Sequence, residues 1–138
     1  MTVNRGDVAM ARFPHAGGTR GKKRPVVVVQ ADAYNGKVPH AIVAEITTNL
    51  AAAGDPACLL IDVSTPEGQA SGLTQDSVVG CLFLATIAES RLSPPIGKLS
   101  ASLTQQLDNC LKAALGLPSH RRFQWPRAPA PSGGSRWP

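Results

Sequence analysis

Four consecutive valines, residues 26–29, constrain the fold more than any other feature of the chain. β-Branched side chains disfavour a helix. A run without apolar–polar alternation is typical of a strand that is buried on both faces. The sequence therefore predicts a strand over residues 24–30 that has packed layers on either side.

The residues around this strand predict further short strands joined by loops. Apolar segments bounded by turn-forming residues predict strands at residues 5–13, 38–48, 57–63, 76–84 and 85–88, the last two being one strand or two. The Asn-Gly pair predicts a turn over residues 34–37. Glycine, proline and small polar residues predict loops at residues 14–23, 49–56 and 64–73.

The apolar residues change period near residue 100. One helical face is predicted over residues 100–115, from Leu103, Leu107, Cys110, Leu111, Ala114 and Leu115. Ser102 and Gln105 resemble a capping box, and Gly116 is a stop signal. Short strands followed by one amphipathic helix predict a mainly β fold, a small β-barrel or sandwich with a C-terminal helix packed on it.

Composition indicates one domain followed by a tail. The chain has 138 residues, of which 43% are apolar and only 4% aromatic, so the core must be aliphatic. From residue 118 onwards the sequence contains five prolines, four arginines and no acid. We expect a folded domain over residues 1–117 and a disordered Pro/Arg-rich tail over residues 118–138.

Several protein classes are excluded by missing patterns. No apolar run reaches the roughly 18 residues that a membrane-spanning helix needs, and the N-terminus lacks the apolar segment of a secretory signal. The three cysteines, Cys58, Cys81 and Cys110, lie far apart, so neither a disulfide framework nor a zinc site is expected. Nucleotide-binding glycine motifs and a nucleophile elbow are also missing. We expect a cytoplasmic protein that uses no metal and no cofactor.

The positive charge is concentrated in one loop and in the tail. The net charge is +5, but outside the tail ten basic residues face nine acidic ones. Within that near-neutral part, a cluster without acids contains Arg20, Lys22, Lys23 and Arg24. Such a cluster is suited to phosphate, or it is simply a solvated loop. His15 lies in the same loop and has the same two interpretations.

Several short motifs occur in an order that is informative about the family. The sequence reads R-G-D-V at residues 5–8, K-R-P-V-V-V-V at 23–29 and I-T-T-N at 46–49. It continues with D-S-V-V at 76–79, S-R-L at 90–92 and G-K-L at 97–99. Over roughly residues 3–117 this set resembles the MazF/PemK family of toxins from type II toxin–antitoxin systems. The resemblance implies an SH3-like small β-barrel of the CcdB/MazF/PemK type with a C-terminal helix, usually found as a homodimer.

The resemblance also implies an activity and its residues. Members of the family are typically sequence-specific, metal-independent endoribonucleases that act on single-stranded RNA and are neutralised by a cognate antitoxin protein. It implies that Arg24 and Thr47 are catalytic and that Thr48 and Asn49 lie in the part that contacts RNA. These residue types suit the chemistry, because an arginine fork stabilises charge on phosphate oxygens and a threonine hydroxyl donates to them.

Further residues are candidates for holding the RNA. Arg20, Lys22 and Lys23 can attract its backbone. The side-chain amides of Asn35 and Asn49 are suited to the edges of splayed bases, and His15 is a further candidate.

Two other functions remain open at this point. One is a CcdB-like toxin that binds DNA gyrase without ribonuclease activity, and the other is a catalytically inactive RNA-binding module. Retention of both Arg24 and Thr47 favours the endoribonuclease.

Overall fold

The computed structural model describes residues 2–14 and 22–118. Within these ranges one antiparallel sheet has the strand order β4-β5-β3-β2-β1-β6. Its strands are β1 (Asp7–Arg12), β2 (Lys23–Val28), β3 (His40–Thr47), β4 (Cys58–Ile61), β5 (Ser77–Ala88) and β6 (Gly97–Lys98). The same ranges contain the helices α1 (Pro66–Ala70) and α2 (Ala101–Leu115) and short 3-10 helices at Leu50–Ala52 and Glu89–Arg91. The predicted mainly β fold with a C-terminal helix is confirmed.

The valine run forms the centre of the sheet, as predicted. Val26, Val27 and Val28 are fully buried. Val27 packs into the core between the sheet and α2, whereas Val26 and Val28 pack into a second core on the other side. The strand is therefore covered on both faces, which explains why its sequence shows no alternation.

One face of the sheet, here called the helix face, packs against α2. Its core contains Val8, Val27, Ile46, Leu59 and Val79 from the strands, together with Leu103, Leu107 and Cys110 from the helix. The helix begins after Ser100, whose hydroxyl accepts a hydrogen bond from the Leu103 amide at 3.1 Å, and ends at Gly116, which has a left-handed φ of 72°. Ser100, and not the predicted Ser102, is thus the N-cap.

The opposite face of the sheet curls around a second core. That core contains Val3, Ala11, Phe13, Val26, Val28, Ala41, Val43, Ile87 and Leu92. The curl coincides with an irregularity in β5, where Ala44 pairs with Leu84 but the next residue, Glu45, pairs with Gly80. Residues 81–83 are therefore extra on β5, and such bulges bend a strand and increase its twist.

Other elements differ from the sequence-based prediction in detail. The predicted loop at residues 64–73 contains α1, which starts at a proline and is capped by the Thr65 hydroxyl on the Gly68 amide. The predicted loop at residues 49–56 contains a 3-10 turn. The two segments predicted at residues 76–84 and 85–88 form one strand, Ser77–Ala88, and the two-residue β6 was not predicted because it is too short to produce a pattern.

Some expectations fall on residues that the structure does not describe. His15, Arg20 and residues 119–138 lie outside the described ranges, so the division into a domain and a tail remains a prediction. Among the helices that the structure describes, none is both long and apolar enough to cross a membrane.

Candidate active site

The register of β2 and β3 brings Arg24 and Thr47 together. Val26 pairs with Glu45 and Val28 with Val43. The paired residues end at Val26 and Glu45, and Arg24 and Thr47 each lie two residues beyond this pair. Residues two apart on a strand project from the same face. Two residues that are 23 positions apart in sequence therefore lie at the same end of one face of the sheet.

Arg24 has an accessible guanidinium next to a carboxylate. Its side chain is 37% exposed, and Nε lies 3.7 Å from Oε2 of Glu45. That separation is an ion pair but too long for a hydrogen bond. Accordingly, the buried Nε has no hydrogen-bond partner among the residues described by the structure. The guanidinium is held near the sheet and keeps donor capacity for a ligand.

The Thr47 hydroxyl is oriented by the turn that follows β3. Its Oγ1 accepts a hydrogen bond from the Asn49 backbone amide at 3.1 Å. A hydroxyl that accepts in this way still has its proton to donate. Thr47 is half-buried. Because it lies at the same end and on the same face of the sheet as Arg24, this region presents a positive charge and a hydroxyl donor together.

Thr48 and Asn49 continue this edge of the sheet and are both exposed. The Asn49 Oδ1 atom accepts from the Ala51 amide at 3.0 Å and caps the 3-10 turn. Its side-chain NH2 group remains available as a donor. Asn49 therefore has one structural contact and one group that could meet a base or a phosphate.

Lysines and an additional arginine surround the same end of the sheet. Lys22 and Lys23 are exposed, and Lys23 pairs directly with Arg12 at the end of β1. Because neighbours on a strand alternate, Lys23 projects from the face opposite to Arg24. Arg12 was not predicted from the sequence, although its position as the last strand residue before the basic loop is a usable signal.

Asn35 is not brought to this site. It follows the far end of β2, and its side chain is buried in a turn. Its Nδ2 atom donates to the Gln30 carbonyl and to Asp32, and its Oδ1 accepts from the Gln30 side chain at 2.9 Å. Both ends of the amide are occupied by the fold, which argues against the predicted role in reading bases.

Glu45 is a second residue at this site that the sequence analysis did not single out. Its side chain is only 15% exposed. It lies two residues before Thr47 on the same face of β3 and diagonally across from Arg24. The signal available in the sequence was a lone acid in the otherwise apolar run A-I-V-A-E-I at residues 41–46.

Two of the three cysteine thiols, those of Cys81 and Cys110, belong to the core and not to the site. The three cysteines are free, and Cys81 and Cys110 are buried. Desolvation raises the pKa of Cys81 to about 12 and raises the pKa of Cys110 as well. Within the described part of the chain, no group of three or more His, Cys, Asp or Glu side chains is arranged to hold a metal ion.

Comparison with known proteins identifies the class. Residues 4–115 match the family described as PemK-like, MazF-like toxin of type II toxin-antitoxin system. The chain belongs to this family. It is 36% identical over 118 residues to the endoribonuclease EndoA of Bacillus subtilis, covering 85% of this chain and 97% of that protein. It is 32% identical over 119 residues to the endoribonuclease MazF6 of Mycobacterium tuberculosis, covering 85% of this chain and all of the relative.

Solved structures are similar to this fold. The Mycobacterium tuberculosis toxin MazF-mt6 superposes with a TM-score of 0.65 at 27% identity, covering 80% of this chain and 97% of that one. A mycobacterial endoribonuclease in complex with its cognate antitoxin gives a TM-score of 0.68 at 20% identity, covering 84% and 97%. At that identity the second similarity shows the fold.

Proposed function

We propose that this chain is the endoribonuclease toxin of a type II toxin–antitoxin pair. We propose further that it cleaves single-stranded RNA without a metal ion and that Arg24 and Thr47 are its catalytic residues. The observation that carries the proposal is the pairing of β2 with β3, which ends at Val26 and Glu45 and leaves Arg24 and Thr47 two residues beyond it, at the same end and on the same face of the sheet. Relatives at 32–36% identity over most of the chain are named endoribonucleases.

The geometry suits transphosphorylation. In this reaction the 2′-hydroxyl of the RNA attacks the neighbouring phosphorus, so the protein needs no nucleophile of its own. Its tasks are to hold the phosphate in line and to stabilise the charge that develops on the phosphate oxygens. The Arg24 guanidinium and the Thr47 hydroxyl offer donors for that purpose, and Lys22 and Lys23 add a salt-dependent attraction for the backbone.

The alternatives are disfavoured by the same comparisons. A gyrase-binding toxin or an inactive RNA-binding module would not need Arg24 and Thr47 to be placed together with accessible donors. The relatives that match nearly the whole folded part are named for ribonuclease activity. A toxin of this kind would act in the cytoplasm, where its RNA substrates are.

Two protein partners complete the proposal. A similar structure was solved with its cognate antitoxin, and we expect an acidic, extended antitoxin segment to bind the basic end of this sheet. We also expect a homodimer. A domain of this size buries only about two-thirds of its surface, and it leaves Leu82 and Phe83 exposed by 61% and 58%. Sedimentation as a monomer at micromolar concentration would contradict the dimer.

The test is a cleavage assay with mixed-sequence single-stranded RNA in the presence of a chelator. We expect cleavage at a restricted set of sites, with 2′,3′-cyclic phosphate and 5′-hydroxyl ends. Folded protein that cleaves no RNA would overturn the proposal. Inhibition of gyrase supercoiling by that same protein would instead favour the CcdB-like function.

A further inference from the structure

We propose that Glu45 is the proton acceptor of the reaction and takes the proton from the attacking 2′-hydroxyl. This assignment rests on the proposed RNA cleavage and adds a residue to it. Transphosphorylation requires a base near the phosphate, because the 2′-oxygen attacks well only as it loses its proton. Neither the arginine nor the threonine supplies that base.

The position of Glu45 fits the role. Glu45 and Thr47 are two residues apart on β3 and therefore project from the same face, about 6.6 Å apart along the strand. Arg24 lies two residues before Val26, the partner of Glu45, on the same face, and its Nε is 3.7 Å from the carboxylate. When Arg24 and Thr47 hold a phosphate, the attacking 2′-oxygen belongs to the ribose whose 3′-oxygen carries that phosphate. The carboxylate of Glu45, two residues from Thr47 along β3, would be within reach of this 2′-oxygen.

The Glu45 carboxylate is not committed to the fold. Among the described residues it accepts no hydrogen bond and makes only the long ion pair with Arg24. The charged group that faces it is Arg24 from β2. Its directly paired neighbours are Val26 on β2 and Gly80 on β5, and the Phe83 ring lies next to Gly80, with Cδ2 3.2 Å from where a Cβ would stand. A phosphate that binds Arg24 would replace this long contact and leave both carboxylate oxygens available to the ribose.

Other groups at this end of the sheet are less suited to accept a proton. Lys22 and Lys23 are cations, and the Thr47 oxygen already accepts from the Asn49 amide. Asp76 precedes β5 at the same end, but its Oδ1 accepts from the Val63 amide at 2.9 Å on the β4 side. Asp76 is therefore the rival that the experiment must test.

The proposed step conserves atoms and charge. Glu45 takes the proton of the 2′-hydroxyl, and the 2′-oxygen forms a bond to phosphorus. The bond from phosphorus to the 5′-oxygen breaks, and the leaving oxygen keeps the electron pair and takes a proton from water. Arg24 stabilises the charge on the non-bridging oxygens throughout, and Glu45 later returns its proton to water.

The first experiment compares pH–rate profiles of wild type, Glu45→Gln, Asp76→Asn and Glu67→Gln on the RNA used above. Glu67→Gln is the matched control, because Glu67 lies in α1 and contacts Ser100 away from the site. We expect Glu45→Gln to lower the rate about 100-fold or more and to remove the acidic limb of the profile. The control variant Glu67→Gln should keep the wild-type rate and the acidic limb of the profile.

A second measurement separates a base from a positioning residue. Formate should restore part of the rate to Glu45→Ala, since a small carboxylate can replace a missing base but cannot re-orient Arg24. Binding of RNA carrying 2′-deoxyribose at the mapped cleavage site should be unchanged or tighter in Glu45→Gln, because the carboxylate no longer competes for Arg24. Glu45→Asp, which keeps the carboxylate, should retain partial activity.

Several outcomes would overturn the assignment. One is an unchanged profile in Glu45→Gln, and another is loss of the acidic limb in Asp76→Asn but not in Glu45→Gln. A third is a uniform rate loss with weaker RNA binding and no rescue by formate, which would make Glu45 a positioning residue for Arg24. If wild type itself cleaves no RNA, the proposed function falls together with this assignment, whereas cleavage that is indifferent to Glu45 overturns this assignment alone.

Discussion

The two sides of β2 and β3 show how one pair of strands serves two purposes. On the helix face, Val27, Ala44 and Ile46 are buried under α2. On the opposite face, the same strands are apolar at one end, with Val28 and Val43, and polar at the other, with Arg24 and Thr47. Strand alternation separates the core residues beneath α2 from Arg24 and Thr47, the two residues proposed to be catalytic. Substitutions on the two faces should therefore affect different measurements.

The largest expected effect is on stability, from Leu107→Ala on the helix face. Leu107 is fully buried between α2 and the sheet. Removing such a side chain leaves a cavity and should lower the free energy of unfolding by about 3–5 kcal/mol, as measured by denaturant titration. The cleavage rate of the folded fraction should stay near wild type.

The control for this variant is Leu115→Ala at the end of the same helix. Leu115 is 56% exposed, so its loss should cost far less stability. If folded Leu107→Ala lost activity as completely as a variant of the polar end, the two faces would not be separate in function.

The next effect is on activity, from Arg24→Ala. Removing a donor that stabilises transition-state charge should lower the cleavage rate by about 10²–10³-fold, while the thermal midpoint stays close to wild type. Arg24→Lys should recover only part of the rate, because an ammonium group cannot reproduce the planar fork. Cleavage assays and thermal melts of the same preparations would measure both.

Lys37→Ala is the matched control for charge. Lys37 is an exposed cation in the turn at the far end of the strands, where Asn35 is buried. The Lys37→Ala variant should cleave RNA at the wild-type rate. Wild-type cleavage by folded Arg24→Ala would place the active site elsewhere.

Thr47→Val should have a smaller effect on the same face. Valine keeps the shape and the strand preference of threonine but has no hydroxyl. The loss of one hydrogen bond to a charged group corresponds to about 1.5–3 kcal/mol, or roughly 10- to 150-fold in rate. Thr86→Val is the control, because Thr86 is an exposed threonine on β5 opposite Ile42. Equal rates for both variants and wild type would remove Thr47 from the mechanism.

How far the sequence predicts the molecule differs between the two faces. The elements of the helix face produce local sequence patterns, namely the valine run and the spacing of Leu103 and Leu107. Its strands and its helix could therefore be predicted. The polar end depends on register, which pairs residues far apart in the chain. Arg24 and Thr47 were singled out by their resemblance to a family, and Glu45, which no motif contains, was not.

Asn35 shows the converse problem. The side-chain amide of an asparagine can form hydrogen bonds with RNA bases. The identity of the residue does not show whether those hydrogen-bonding groups are already used within the fold. In the structure they are taken by Gln30 and Asp32. Ser100 was likewise missed as the N-cap because Ser102 offered an equally good local pattern, and only the course of the chain before α2 separates the two.

The smallest expected effect tests the helix face through its pH dependence. Cys81 is buried there, and desolvation raises the pKa of its thiol from 9.0 to about 12. A raised pKa means that the folded state favours the protonated thiol, so its stabilising contribution is complete below pH 9 and is lost as the pH rises from about 9 towards 12. The loss from one such group cannot exceed about 1.4 kcal/mol per pH unit.

The measurement is the free energy of unfolding of wild type and Cys81→Ala at pH 8 and pH 10. Cys81→Ala is less stable at both values because it leaves a cavity, so the informative quantity is the change between them. That change should be larger in wild type, because Cys81→Ala lacks the buried thiol whose pKa is raised. An identical change would mean that water reaches Cys81 and that the helix face is less tightly closed than the structure shows. Cleavage rates at the two pH values should not distinguish the proteins, because Cys81 lies in the core beneath α2, whereas Arg24 and Thr47 project from the opposite face.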